Sequence, residues 1–153
     1  MATASSWVIP AVGQAALDPV VIKAIAEVEV RTKDPGRSTT QLVSADRVVS
    51  GDQIIYTLEV RNTAASTVHA PTVTYAVPSH MWYVADSAVG PGAEVSFSVD
   101  GGHNFDSPEN LEIATADGRR AAAAADYTHI RWQLSRDLKA NSVAFLRFRA
   151  MVK

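Results

Sequence analysis

The clearest pattern along the chain is a strict alternation of apolar and polar positions between Gly51 and Asn62. A Gly-Asp turn opens the stretch, and Asn62 begins the loop that follows it. The apolar positions are Ile54, Tyr56, Leu58 and Val60, and the intervening positions are Ile55, Thr57, Glu59 and Arg61. This period of two predicts a β-strand with one buried face and one solvated face.

Similar alternation recurs along the chain at 20–31, 72–77, 93–100, 127–134 and 142–152. A weaker pattern at 42–49 is consistent with an edge strand, and the apolar cluster at 81–84 with a strand edge or a plug over the core. Residues 33–40 contain Asp-Pro-Gly and are predicted to form a turn or hairpin loop. Residues 106–125 show little pattern, with room for about one helical turn in the alanine run. The sequence therefore predicts an all-β protein, an antiparallel β-sandwich of about seven or eight strands.

Composition narrows the choice of function without assigning one. The 153-residue chain is long enough for one domain with a sizeable core, and its formal charge of −2 gives no electrostatic footprint for nucleic acid or an anionic membrane. It contains no cysteine, which excludes disulfides and thiolate metal sites. No apolar run approaches the ~18 residues of a spanning helix, so we expect no membrane insertion.

The N-terminal residues 1–19 are predicted to be an extension, and residues 20–153 the sandwich. Within the extension, Trp7, Val8, Ile9 and Val12 form an apolar stretch before the first clear strand. One interpretation is that this stretch packs on its own sandwich as an extra edge strand. The other is strand donation, in which it pairs with the sheet of a neighbouring copy. Both interpretations remain open from the sequence, and we name these four residues as candidate subunit contacts.

A longer motif, Asp46 to Asn62, resembles the opening of the conserved surface repeat domains of bacteria and archaea. It combines a polar turn ending in Gly-Asp, an alternating strand with Tyr-Thr, and then Asn with a small residue; Val77-Pro78 resembles a later turn of the family. The resemblance covers residues 46–153. It implies an immunoglobulin-like sandwich on an exported or cell-surface protein, with no enzymatic activity and no cofactor. This chain differs from the usual tandem arrays in carrying one copy.

A shorter motif, Ser98 to Phe105, is similar to the Asp-box hairpin of sialidases and other secreted β-proteins. In that hairpin the aspartate caps the turn and the aromatic residue packs beneath it. The resemblance implies a structural role for Asp100 and Phe105.

Candidate sites for chemistry are weak in this sequence. The four histidines lack the spacing of metal ligands, and we predict solvated polar roles for them. Asp100, Asp106 and Glu109 could together hold Ca²⁺, although their spacing matches no EF-hand loop. No nucleophile elbow or phosphate-binding loop is present, so we predict neither a catalytic site nor a metal or cofactor site.

Arginine and aromatic side chains are candidates for surface contacts. Arg131, Arg147 and Arg149 are predicted to face outwards and to pair with Glu27, Glu29 or Glu59 across strands. Trp82 and Tyr83 fit the core or its rim better than a sugar-binding platform.

Two functional hypotheses follow. The first is a structural subunit of an extracellular filament or cell-surface assembly that forms a homopolymer by N-terminal strand donation. The alternative is a monomeric surface module that binds glycan or protein through loops around Trp82 and His103. Both place the protein outside the cell or at its surface.

Overall fold

The computed structural model describes residues 19–153, apart from the side chains of Lys33 and Asp34, and it confirms the all-β antiparallel prediction. The described chain contains two short 3₁₀ turns, Pro108–Asn110 and Ala124–Asp126, and ten strands. The strands are β1 (Val20–Asp34), β2 (Arg37–Ser44), β3 (Gln53–Asn62), β4 (Thr72–Ala76), β5 (Met81–Tyr83), β6 (Ala93–Ser98), β7 (Glu112–Thr115), β8 (Gly118–Ala121), β9 (His129–Leu134) and β10 (Val143–Val152).

The strands form two main sheets and a hairpin. The larger sheet has five strands in the order β2-β1-β3-β10-β5, and the smaller has three in the order β4-β9-β6. Strands β7 and β8 pair only with each other. Neighbouring strands are antiparallel throughout. The central strand of the larger sheet is β3, the strand with the clearest alternation in the sequence.

The two main sheets share one aromatic core. The ring of Tyr56 on β3 stacks on Phe148 of β10 with centroids 4.9 Å apart. From the smaller sheet, Tyr75 lies 5.8 Å from Phe148 and the fully buried Trp132 lies 6.2 Å from it. Contacts of this kind across two faces define a sandwich, in which side chains from both inner faces interdigitate.

The immunoglobulin-like part of the prediction concerns topology. Strands β9 and β10 lie in different sheets, whereas the last two strands of a constant-type immunoglobulin domain share one sheet. The strand order does not establish an immunoglobulin topology, so this finer statement remains a prediction.

Three strand assignments differ from the sequence prediction. The edge strand β2 occupies Arg37–Ser44 instead of 42–49, because Gly36 with φ +84° closes a tight turn immediately after β1. The polar residues after that turn pair with β1 and leave residues 45–52 as a loop. Strands β7 and β8 form an exposed hairpin within the segment predicted to lack pattern, and this hairpin has no apolar face to reveal it.

The face of β3 predicted to be solvated is also partly buried. Ile55 is 2% exposed and Thr57 is 9% exposed, although both point away from the core. The Arg147 guanidinium donates to the Thr57 hydroxyl at 3.3 Å from the neighbouring strand, so its aliphatic stem lies over this face. The Arg147 side chain therefore shields Thr57 from water on the face of β3 that was predicted to be solvated.

Asn62, at the end of β3, is fully buried and joins the two halves of the sandwich. Its side-chain amide donates to the carbonyls of Ser66, Leu138 and Lys139 at 2.8, 2.9 and 3.2 Å. Its side-chain oxygen accepts the Ala64 N–H at 3.0 Å. Because residues 138–139 connect β9 of the smaller sheet to β10 of the larger, one amide fixes that crossover against the central strand.

We expect Asn62→Ala to destabilise the fold by about 2–4 kcal/mol, because it removes the four hydrogen bonds of a fully buried side chain. Urea denaturation measures the change. Asn110→Ala is the matched control, since Asn110 is exposed and its amide bonds only to nearby side chains. The control should change stability by no more than about 0.5 kcal/mol, and equal losses for the two variants would contradict a special role for Asn62.

Candidate functional site

The predicted subunit contacts Trp7, Val8, Ile9 and Val12 lie outside the described residues and remain a prediction. The structure does show the surfaces of the sandwich that such a segment would meet. Those surfaces are the sheet edges, where backbone groups lack a neighbouring strand, and the exposed apolar side chains.

Each main sheet has two edge strands. In the larger sheet these are β2 and the three-residue β5, and in the smaller sheet they are β4 and β6. The outer edge of β6 is partly occupied, because Phe97 and Asp106 exchange backbone hydrogen bonds of 2.9 and 3.0 Å. Within residues 19–153, no strand pairs with the outer edge of β4.

Among residues 19–153, no strand covers the side of the sandwich next to β4. The Tyr75 ring of β4 lies 6.4 Å from Tyr56 of β3 and 5.8 Å from Phe148 of β10, whereas Phe97 of β6 lies against Tyr83 of β5. The three strands of the smaller sheet therefore lie over β3, β10 and β5, and no strand among the described residues lies over β1. Ala24 of β1 sits directly opposite the fully buried Leu58 in the register, yet Ala24 is exposed. Strand β2 pairs with β1 only from Glu27 onwards, so the first half of β1 is itself a sheet edge.

The outer face of the larger sheet carries one of the predicted ion pairs. The Arg149 guanidinium contacts the Glu29 carboxylate at 2.8 Å, with both side chains partly exposed. Arg147 instead donates to Thr57. Beside them, Phe145 and Val89 are 55% and 54% exposed and line a shallow apolar depression.

Arg131 belongs to the smaller sheet, and its contact was not predicted from the sequence. Its guanidinium lies over the ring of Phe105, 3.6 Å from the centroid, and its Nε donates to the Thr74 hydroxyl at 3.4 Å. A cation–π contact of this kind fixes the aromatic residue that ends the Ser98 to Phe105 motif.

The turn around Asp100 has the predicted capping geometry. The Asp100 carboxylate accepts the backbone N–H groups of His103 and Asn104 at 3.1 and 3.0 Å, and the Asn104 side-chain amide at 2.6 Å. The Ser98 hydroxyl donates to the same carboxylate at 2.7 Å. These hydrogen bonds, chiefly those from Asn104, hold the pKa of Asp100 well below its usual range.

Two of the three candidate calcium ligands, Asp100 and Asp106, accept hydrogen bonds within separate turns. The Asp106 carboxylate accepts the Ser107 N–H and the Asn110 amide, so it is engaged in its own turn. Within the described residues, no group of three histidine or acidic side chains has the geometry of a metal site.

The histidines have separate local partners. His69 contacts the Asp137 carboxylate at 2.8 Å on the surface, and His103 contacts the Asp100 carbonyl at 2.6 Å. His129 is half-buried in β9, and burial lowers its pKa. These contacts are compatible with polar and structural roles.

Trp82 and Tyr83 have different environments, as expected for a strand at the rim. Tyr83 is buried and its hydroxyl accepts the Ala88 N–H at 3.0 Å. Trp82 is 40% exposed, with the Lys153 ammonium 6.0 Å from its ring centroid. Trp82 is therefore the exposed aromatic residue of this edge.

Comparison with known proteins adds no relative to these observations: no family model, no curated protein and no solved structure matches this chain. The resemblance to the surface repeat domains thus stays a prediction, as does the absence of enzymatic activity. Within residues 19–153 no helix has the length and apolar character to cross a bilayer.

We expect the Asp100 turn to make stability depend on pH in the acid range. A carboxylate whose pKa is depressed in the folded state stabilises the fold above the unfolded pKa of about 3.9, and this contribution is lost as pH falls towards the folded pKa. Melting temperatures measured from pH 6 downwards should fall less steeply for Asp100→Asn than for the unchanged chain. Asp117→Asn, in the exposed β7–β8 turn, is the control and should leave the slope unchanged; an identical slope for Asp100→Asn would contradict the expectation.

Proposed function

We propose that this protein is a structural subunit of an extracellular filament or cell-surface assembly, and that it polymerises by donating its N-terminal segment to a neighbouring subunit. The observation that carries the proposal is the open side of the sandwich, where β4 and the first half of β1 lack strand partners among the described residues. An apolar segment preceding such a fold is a suitable strand to complete it. Donor and acceptor surfaces differ, so repeated addition produces an open chain of subunits.

The proposed location rests on the sequence. The resemblance of residues 46–153 to surface repeat domains supports an exported or cell-surface protein, and the Asp-box-like turn also occurs in secreted β-proteins. Self-association is the partner that this proposal requires, and no cofactor enters it.

We expect the double substitution Trp7→Asp with Ile9→Asp to abolish polymers, because two carboxylates cannot be buried unpaired in an apolar groove. Light scattering coupled to size-exclusion chromatography should give the mass of one chain, and negative-stain microscopy should show no filaments. The control, Thr3→Asp with Ser5→Asp, adds the same charge at polar positions of the same segment and should still polymerise. Unchanged polymers after deletion of residues 1–18 would refute strand donation.

Trp82 supports a second candidate function, a monomeric module that binds glycan or protein. Its exposed ring on a short edge strand is the type of surface that stacks on a sugar, and the Lys153 ammonium is close by.

If the second function holds, the protein is a monomer that binds immobilised glycans, and Trp82→Ala removes the binding while leaving the melting temperature unchanged. Phe145→Ala, at a more exposed aromatic position on β10, is the control and should retain binding. A glycan array with both variants tests this, and no binding by the unchanged chain would exclude glycans as the ligand.

A further inference from the structure

The four sheet edges of the sandwich are protected to different degrees. Exposed edges invite pairing with another strand unless they are short, covered or charged and polar. Strand β5 is short, β6 is partly covered by Asp106, and β2 begins with Arg37 and a run of hydroxyl and amide side chains. Strand β4, with the sequence Thr-Val-Thr-Tyr-Ala, carries no charged side chain, and no segment among residues 19–153 pairs with its outer edge.

The hydrogen-bond pattern of β4 shows which backbone groups are available. The Leu134 N–H donates to the Pro71 carbonyl and the Val77 N–H donates to the Thr128 carbonyl, so the odd-numbered residues bond towards β9. In an antiparallel ladder the alternate residues point the other way. The backbone groups of Thr72, Thr74 and Ala76 therefore face the open edge.

A strand added at this edge would lie over the inner face of β1. Strand β4 lies over β3, and neighbouring strands are about 4.8 Å apart while packed sheets are about 10 Å apart. The next position in the smaller sheet is therefore above Ile22, Ala24 and Ala26, which share the inner face of β1. Ile22 and Ala26 are only partly buried and Ala24 is exposed, and the two alanines leave room for a large side chain.

The length and end point of the N-terminal segment suit this position. The described chain begins at Pro19, whose carbonyl accepts both the N–H and the hydroxyl of Thr63, so it starts at the end of the sandwich where β1 and β4 also begin. Eighteen residues precede it, and Trp7 to Val12 can form a strand about as long as β4. Pro10 has no N–H, which an edge strand tolerates on its outer side.

We propose that the acceptor site for the donated strand is the groove formed by the free edge of β4 and the inner face of β1 at Ile22, Ala24 and Ala26, and that Trp7–Val12 of a second copy fills it. This inference rests on the proposed function, which supplies the second copy. Residues 13–18 can span up to about 22 Å, which is long enough for the same segment to close back on its own copy. That competing occupant is one outcome of the test.

The absence of natural cysteine makes disulfide trapping a clean test of the full-length chain. We would mix two single-cysteine proteins, one with Val8→Cys or Ile9→Cys and the other with Thr74→Cys, and oxidise them. Mass spectrometry of the linked peptides identifies the partners. A disulfide needs Cα atoms about 4.4–6.8 Å apart, so only paired strands should link efficiently.

Under the proposal, the yield of dimers linked between the N-terminal segment of one copy and Thr74→Cys of the other is several-fold higher than the yield with the control Thr40→Cys on β2. The yield should differ between Val8→Cys and Ile9→Cys, because adjacent strand residues point to opposite faces. Linking to β2 instead of β4, with polymers intact, would overturn the acceptor site but not strand donation. A further protein carries both Val8→Cys and Thr74→Cys in one chain; disulfides formed only within single chains of this protein would overturn both.

A second variant tests the groove without cysteine. Ala24→Arg places a long charged side chain in the groove and should abolish polymers, whereas Val30→Arg, on the same face of β1 but beyond the groove and 44% exposed, should not. Both positions are exposed, so both variants should fold, which circular dichroism checks. Polymers that survive Ala24→Arg would contradict the acceptor site.

Discussion

One buried side-chain amide, that of Asn62, fixes how the connection between the two main sheets meets the central strand. Asn62 lies at the end of the central strand, where its side chain donates to three carbonyls and accepts one N–H. A buried amide must be satisfied at nearly all its hydrogen-bonding positions, so it accepts only one arrangement of the surrounding loops. The apolar core supplies most of the stabilisation, and Asn62 specifies how the turn at residues 138–139 meets β3.

The unequal widths of the two sheets create the surface of functional interest. Five strands face three, so the inner face of the larger sheet extends beyond the smaller one on the side of β1 and β2. Loop residue Val48 packs against the core, and Ala45 is buried beside Ala26. Towards the start of β1, the inner face is exposed at Ala24 among the described residues. The difference in sheet width also leaves the edge of β4 without a strand partner within residues 19–153.

Sequence reasoning succeeded where one local signal determined the structure. The Asp100 motif predicted a capped turn. The alternation in β3 predicted the buried positions Ile54, Tyr56, Leu58 and Val60. It failed where burial came from distant residues: Thr57 is contacted by Arg147, ninety residues away in the chain, and Ile55 lies opposite Arg149 in the register, neighbours that no local pattern encodes. The β7–β8 hairpin was missed because its strands are exposed except for the partly buried Ile113 and carry no alternation.

The candidate site also combines a feature that is visible in the local sequence with features that depend on distant residues. The apolar character of Trp7 to Val12 is visible in the sequence, but an acceptor can be recognised only once strand order is known. Val73 and Tyr75 alternate as in any other strand, and nothing in residues 72–76 indicates that one edge has no neighbour among residues 19–153. The exposure of Ala24 is equally invisible, because its position in the alternation of β1 predicts burial.

The energetics of donation limit how such an assembly could hold together. Each backbone hydrogen bond to β4 contributes roughly 0.5–1.5 kcal/mol, and burying Trp7 or Ile9 contributes about 1.5–3 kcal/mol each. Association between two subunits costs about 4–15 kcal/mol in lost translational and rotational freedom. This cost is of the same order as the summed contributions of the hydrogen bonds and the buried side chains. Closure of the segment onto its own copy largely avoids it. A second contact between subunits, besides the donated strand, would therefore favour the polymer over self-closure. The exposed Phe145 and Val89 on the outer face of the larger sheet are apolar groups suited to that contact, because their burial would add stabilisation that self-closure does not provide.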